Sequence, residues 1–179
     1  MTLNSTNMNN LVHSLEERAK ELNCIYTIED AINNPDLSAD KIFDIVVNAI
    51  PKGWQFPELT RAIIILENSV YKSNNFIESE YNLISDIIIN DEIVGNVCVN
   101  YTKETPKFDE GPFLKEERKL LNTIADRLAH FIQHEDTKKI LKNLKDFKNK
   151  NDNDKKENWR IIIEMLDKTD PVLYKTILR

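Results

Sequence analysis

Only three glycines, Gly53, Gly95 and Gly111, occur in the 179 residues of this chain. A loop that cradles phosphate needs clustered glycines so that backbone N–H groups can approach the anion. Neither G-x-G-x-x-G nor G-x-x-x-x-G-K is present, which argues against nucleotide-dependent catalysis of that kind. Cysteine is equally scarce. Cys24 and Cys98 fall in different expected elements and in no metal-spaced cluster, so they read as two free buried thiols in a reducing compartment. Basic charge is short as well: the formal net charge is -6. Phosphate contacts need a basic surface, so a dedicated nucleic-acid binder is disfavoured. No apolar stretch is long enough to span a bilayer. The start, "MTLNSTNMNN", lacks the basic and apolar segments of a signal peptide. A cytoplasmic protein without membrane contact is the expectation.

What is present is a globular composition, 41% hydrophobic and 30% charged, with room for one ordinary domain and some residues beyond it. Met8, Val12, Leu15, Ala19, Leu22 and Tyr26 alternate spacings of four and three, a heptad-like stripe widened by Leu11, Ile25 and Ile32. This helix is expected both to pack on the domain and to meet a partner helix. "NNPD" stops it at Asn33–Asp36. Ser38 caps a second helix, with Leu37 placed to staple it and Ile42, Ile45, Val46, Ala49 and Ile50 as its apolar face. Pro51, Lys52 and Gly53 end that helix.

Strands come next. "AIIIL" (62–66) is apolar on both alternating sets and is expected to be covered on both faces. A short strand is expected around Val70–Lys72, then a polar loop, "SNNFIES". "NLISDIII" and "EIVGNVCVNY" flank Asn90 and Asp91 as a hairpin. In its second arm Ile93, Gly95, Val97 and Val99 share one face, and Val94, Asn96, Cys98 and Asn100 share a more polar one. After the loop "TKETPKFDEGP" comes a third helix whose apolar face is Leu114, Leu120, Leu121, Ile124, Ala125, Leu128, Phe131 and Ile132. Its stripe is interrupted at Glu117. With Asp109, Glu110 and Glu116, Glu117 reads as a charge favouring the positive end of the helix. The element order is α+β.

From Lys138 the composition turns Lys- and Asn-rich, predicting a helix extension that gives way to a solvated linker near Asn149–Asp154. Trp159, Ile162, Ile163 and Leu166 mark a short amphipathic helix. Asp170 caps a last one, with Pro171 at its first position. That helix reaches Arg179 without a stop signal, so the start of a truncated further region is expected there. The organisation predicted is one α+β domain with its N-terminal helix over 1–135, an extension and linker over 136–154, and a helical segment over 155–179.

The order of elements, together with "KELNCIYTIEDAI", "IPKGWQFPELTRAIII", "IIINDEIVGNVCVNY" and "DEGPFLKEERKLLNTIADRLA", resembles a GAF domain. It is most similar to the subgroup fused to sensor histidine kinases and to proteins related to phosphoenolpyruvate synthase. The likeness runs from Glu17 to Glu135. "WRIIIEMLDKTDPVLYKTILR" resembles the segment C-terminal to this module in the phosphoenolpyruvate-synthase-like proteins. The resemblance implies a central antiparallel sheet with the first and last helices together on one face. It also implies a small-molecule pocket on the other face, and dimerisation through the terminal helices. No cofactor and no catalytic residue is expected, any catalytic region lying outside the chain.

Apolar and aromatic walls with a few polar groups make a ligand pocket. Candidates are Trp54 and Phe56 ahead of the first strand, Phe76 and Tyr81 bracketing the polar loop, and Arg61, Ser85 and Asn100 on or beside strands. The aromatics could equally be core or loop anchors, and the polar residues could face water. "KFDE" with Asn100 bears a partial resemblance to the asparagine–lysine–phenylalanine–aspartate–glutamate motif of cyclic-nucleotide-binding GAF domains. Tyr101 stands where that motif has lysine, so the acidic pair reads as helix-start charge. His130 and His134, four apart on a helix, share a face, but with Asp126 as the sole neighbouring carboxylate they read as solvated surface rather than a metal site. "HEDTKK" superficially resembles a phosphoacceptor site with no ATP-binding half after it. The methionine-sulfoxide reductases among GAF proteins need an attacking and a resolving thiol, a pattern Cys24 and Cys98 do not match. Two further readings stand beside the ligand-binding sensor: a dimerisation module whose pocket is filled by its own side chains, and a thiol-based redox sensor or enzyme using Cys98.

Overall fold

A computed structural model describes residues 2–150; the expected helices around Trp159 and after Asp170, and the linker beyond Lys150, lie outside them. The chain divides into two compact units, residues 1–129 and 130–179. The first unit holds the fold.

Helix α1 spans Thr2–Ile32 and α2 spans Ala39–Ala49, followed by a 3-10 turn at Ile50–Gly53. Strands β1 (Thr60–Leu66), β2 (Ser69–Lys72), β3 (Asn82–Ile89) and β4 (Glu92–Tyr101) precede α3, Lys115–Lys150. The strands form one antiparallel sheet in the order β2-β1-β4-β3. The fold is therefore α+β, a four-stranded antiparallel sheet with three helices, among the described residues. No described helix is long and apolar enough to cross a membrane.

Local chemistry explains the boundaries. The Ser38 side chain accepts from the Lys41 N–H with extended backbone at φ -73, as the capping residue of α2. Asn90 and Asp91 sit at φ 51 and 66, the left-handed pair a two-residue hairpin turn demands. Gly53 ends the 3-10 turn where α1 and α3 close over it. A Cβ there would lie 2.8 Å from the Cys24 Cβ and 3.2 Å from the Leu120 Cδ2, so only hydrogen fits without displacing a neighbour.

The sheet has one covered face. Ala62, Ile64, Val97, Val99 and Ile87 are fully buried there and Leu83 nearly so. Their partners in register, Ile64 with Val97 and Leu83 with Val99, confirm a shared face. The Phe43 ring of α2 stacks on Tyr71 of β2, with centroids 4.7 Å apart. The Ser85 hydroxyl of β3 bonds Asn122 Oδ1 of α3 at 3.0 Å. Helix α1 lies against α2 and the 3-10 turn. Burying this much aliphatic surface is the main stabilising term, about 25 cal/mol per Å².

Four expectations need correction. β1 is not covered on both faces: Ile63 is buried, but Ile65 is 38% exposed on the open side. Ile93 does not join Val97 and Val99. A register shift between Ile87 and Ile88 places it opposite Ile88, and it is 63% exposed. A bulge inserts one residue and so moves the next side chain to the other face, which strict alternation cannot anticipate. In α2, Phe43 and Val47 are buried while Ile45 is half-buried. In α1, the heptad-like stripe does not pack on the domain. Met8, Leu11, Val12, Leu15, Leu22 and Tyr26 are all exposed, and Cys24, Ile28 and Ala31 make the buried face instead.

Candidate functional site

The structure separates the seven candidate residues into two neighbourhoods and one outlier. Arg61, Phe76, Tyr81 and Asn100 gather around the loop at 73–81, at one end of the open sheet face. Arg61 pairs with Asn100 across β1 and β4. Its Nε donates to Asn75 O at 3.0 Å and its Nη1 to Glu58 O and Thr60 O, so the guanidinium ties the loop to the strand. The Asn100 Nδ2 donates to Ile77 O at 2.7 Å. Asn100 is only 2% exposed, yet its Oδ1 has no hydrogen-bond partner among the described residues. A buried acceptor left unpaired costs about 1–3 kcal/mol, so a donor brought to that point gains what the fold has left unmade. The Lys72 ammonium lies 5.2 Å above the Phe76 ring, a cation–π contact. Tyr81 is half-buried, and its carbonyl accepts from the Tyr101 N–H at 3.0 Å.

Trp54 and Phe56 lie elsewhere, beneath the helices. Trp54 is fully buried. Phe56 meets Tyr101 edge-on at 5.8 Å, and Tyr101 stacks on Phe113 at 4.7 Å. Ser85 is the outlier, on the covered face of the sheet and engaged with Asn122. Of the thiols, Cys24 is buried in α1, and burial pushes it up to about 12. Cys98 is half-buried on the open face, between Ile63 and Ile84 in register, and burial raises it too. A lowered value is what activates a thiol as a nucleophile, and burial shifts both in the other direction. His130 and His134 are exposed.

The most constrained polar group is one that stripe-reading passes over. Glu117, taken from the sequence as a solvated helix-start charge, is 2% exposed. Its Oε1 accepts from the Gln55 N–H at 2.9 Å and the Tyr101 hydroxyl at 2.6 Å, and its Oε2 from the Leu114 N–H at 2.8 Å. The last contact is the reach-back half of a capping box, satisfying an N–H just ahead of α3. One carboxylate thus joins the turn after α2, the last strand and the start of the third helix. Burial raises its pKa, the three donors oppose that, and Glu17 adds to the rise. Lys20 of α1 closes the cluster from outside, bonding Glu17 at 2.8 Å and the carbonyls of Trp54 and Gln55. The sequence did carry a signal: a lone acid at an otherwise apolar position of the helix face, three residues after the helix entry.

A groove between α1 and α3 has an apolar floor of Leu22, Ile25 and Leu120, flanked by Arg18, Lys119, Glu21 and Glu116, with a volume of about 450 Å³. Glu21 there is raised by burial and by the carboxylates of Glu116 and Glu17. Compared with known proteins, the chain matches no family model and no curated protein.

Proposed function

We propose that this chain is a GAF-type sensory or regulatory module, without catalysis of its own, that works as a homodimer through its helices. One observation carries the reading. The stripe of α1 at heptad-like spacing is exposed at Met8, Val12, Leu15, Leu22 and Tyr26, by 46–64%. Apolar residues at that spacing are the pattern by which one helix packs along another. The occupant we assign is a second copy. The adjoining groove carries acids and bases together, so a two-fold axis can set each sign against its opposite on the partner.

The input end of this reading is the open sheet face near the loop at 73–81. A small molecule with a hydrogen-bond donor would meet the unpaired Asn100 Oδ1 there, with Phe76 and Tyr81 as aromatic walls. The α+β fold with its four-stranded antiparallel sheet is compatible with the GAF likeness of the sequence motifs. The Glu117 cluster supports a route between the ends, because it fastens the last strand to the start of α3. A cytoplasmic setting belongs to the same proposal.

Native mass spectrometry of the purified chain, followed by the denatured sample, tests it. A dimer with extra mass that leaves on denaturation is the expected result and gives the ligand's mass. A dimer without extra mass would shift the reading to a dimerisation module. A monomer at micromolar concentration, unchanged by Leu15→Glu with Leu22→Glu, would sink the helical interface.

A further inference from the structure

The chain carries six more acidic than basic charges, from 30 Asp and Glu against 24 Lys and Arg. One groove reverses that sign. Lys41 and Lys52 from α2 and the turn after it, and Lys72 from the end of β2, line a cavity of about 540 Å³ with Asp44 as its one acid. Among the described residues, none of the three lysines takes part in an ion pair. The other nearby acid, Asp40, accepts from the Tyr71 hydroxyl at 2.6 Å. Asp44 makes no ion pair with Lys41 one turn away, although i,i+3 neighbours on a helix face one another.

The groove is held in shape by hydrogen bonds that do not involve the Lys41 and Lys52 ammonium groups. Asn48, on the same face of α2 as Lys41, accepts from the Asn74 N–H at 2.9 Å through Oδ1 and donates to Asp44 O at 2.8 Å through Nδ2. That fastens the start of the loop at 73–81 to the helix and holds Asn74 opposite α2. Ile45 and Ala49 supply a short apolar floor against which lysine stems can lie. The like charges of Lys41 and Lys52 repel each other in the groove, while Lys72, whose ammonium lies 5.2 Å above the Phe76 ring, stands at its edge. An anion in the groove removes that repulsion and supplies acceptors for their N–H groups.

We propose that this groove binds a small phosphorylated molecule presenting a diphosphate or two neighbouring phosphates. Its volume falls in the range of small-molecule sites, about 300–1,000 Å³. The residue type narrows the class. No arginine lines the groove, so it lacks the planar fork that selects a single carboxylate, whereas lysines act as compact point charges suited to spread negative charge. This site lies between α2 and the start of the loop at 73–81, the loop whose other residues bond Arg61 and Asn100, and does not depend on the dimer.

Titrating the ¹⁵N-labelled full chain with pyrophosphate, at fixed ionic strength, tests the assignment. Amide shifts centred on Asn48, Lys52 and Asn74 are expected, with orthophosphate weaker and acetate without effect. Lys41→Gln with Lys52→Gln should weaken pyrophosphate binding at least tenfold, while Lys119→Gln in the other groove leaves it unchanged. All three lysines in the groove are exposed, and an unchanged thermal midpoint would show that the variants fold. Equal responses to acetate and pyrophosphate, shifts centred elsewhere, or undiminished binding by the double variant would each overturn the assignment.

Discussion

Ile87 and Ile88 are neighbours on β3, the first fully buried and the second 53% exposed. The same contrast runs across the whole sheet. The helix side holds a continuous core from Ala62 to Ile87, fastened at its edge by the Glu117 carboxylate. The open side shows Ile65, Val70, Ile84, Ile88 and Ile93 to solvent, with the half-buried Cys98 among them. Five exposed large aliphatics on one sheet face exceed the single scattered residues of ordinary surfaces. The comparison teaches that the core is made on one side of the sheet, while the other side leaves its aliphatic side chains in solvent.

The thiols report this difference with the largest expected effect. Cys24 is 2% exposed and its thiol is held neutral, so it reacts only when the helix layer opens. With a folding free energy of about 5 kcal/mol or more, that protection is on the order of 10³-fold or greater. Cys98 needs only movement of side chains on the open face. Mass-resolved labelling with iodoacetamide should modify Cys98 first and Cys24 only with denaturant. Equal rates in the native protein would mean that the two faces are not distinct.

Substitution sharpens the same contrast. Ile87→Ala removes core atoms and leaves a cavity, at an expected cost of about 3 kcal/mol, whereas Ile88→Ala should cost about 0.5 kcal/mol or less. Urea unfolding of the two variants measures both. A large loss for Ile88→Ala would show that the open face is covered in solution, as it would be if a second chain or an ordered ligand lay on it.

Much of the element order was legible in the sequence, the difference between the two sheet faces less so, and the exceptions have physical causes. The strand and helix order, the Ser38 cap and the Asn90–Asp91 turn arise from local chemistry that acts within a few residues. The "AIIIL" run misled because continuous apolar character does not say which of two faces finds a partner. The stripe of α1 misled similarly: periodicity identifies a face that wants burial, and Cys24, Ile28 and Ala31 show that a different face won the contact with the domain. The candidate site was read less well than the fold. Trp54, Ser85 and Asn100 were chosen by residue type; the pleat turns Ser85 to the covered face and Asn100 to the open one, and Trp54 lies ahead of the sheet, buried just after the 3-10 turn. Glu117 was visible as a flaw in a stripe, but its three donors come from Gln55, Tyr101 and its own helix entry, two of them distant in sequence.

That carboxylate gives the smallest expected effect, and one whose sign can be worked out. Burial raises the pKa of Glu117, and the bonds from Gln55, Tyr101 and Leu114 do not reverse the rise. The folded state therefore holds the proton at pH values where the unfolded chain has released it. The stability that Glu117 contributes is then full below the ordinary carboxylate value and is lost as pH rises through the raised one. Glu117→Gln cannot titrate and retains an acceptor of the same shape. The stability of the wild type relative to this variant should fall with rising pH across that window, by no more than about 1.4 kcal/mol per pH unit, and level off above it. Glu21 is raised in the same region but titrates in both proteins, so to first order it cancels in the difference. Urea midpoints of the pair between mildly acidic and neutral pH supply the measurement. A difference that grows with pH would mean that the three donors outweigh burial, and that the cluster joining strand, turn and helix is strongest when charged.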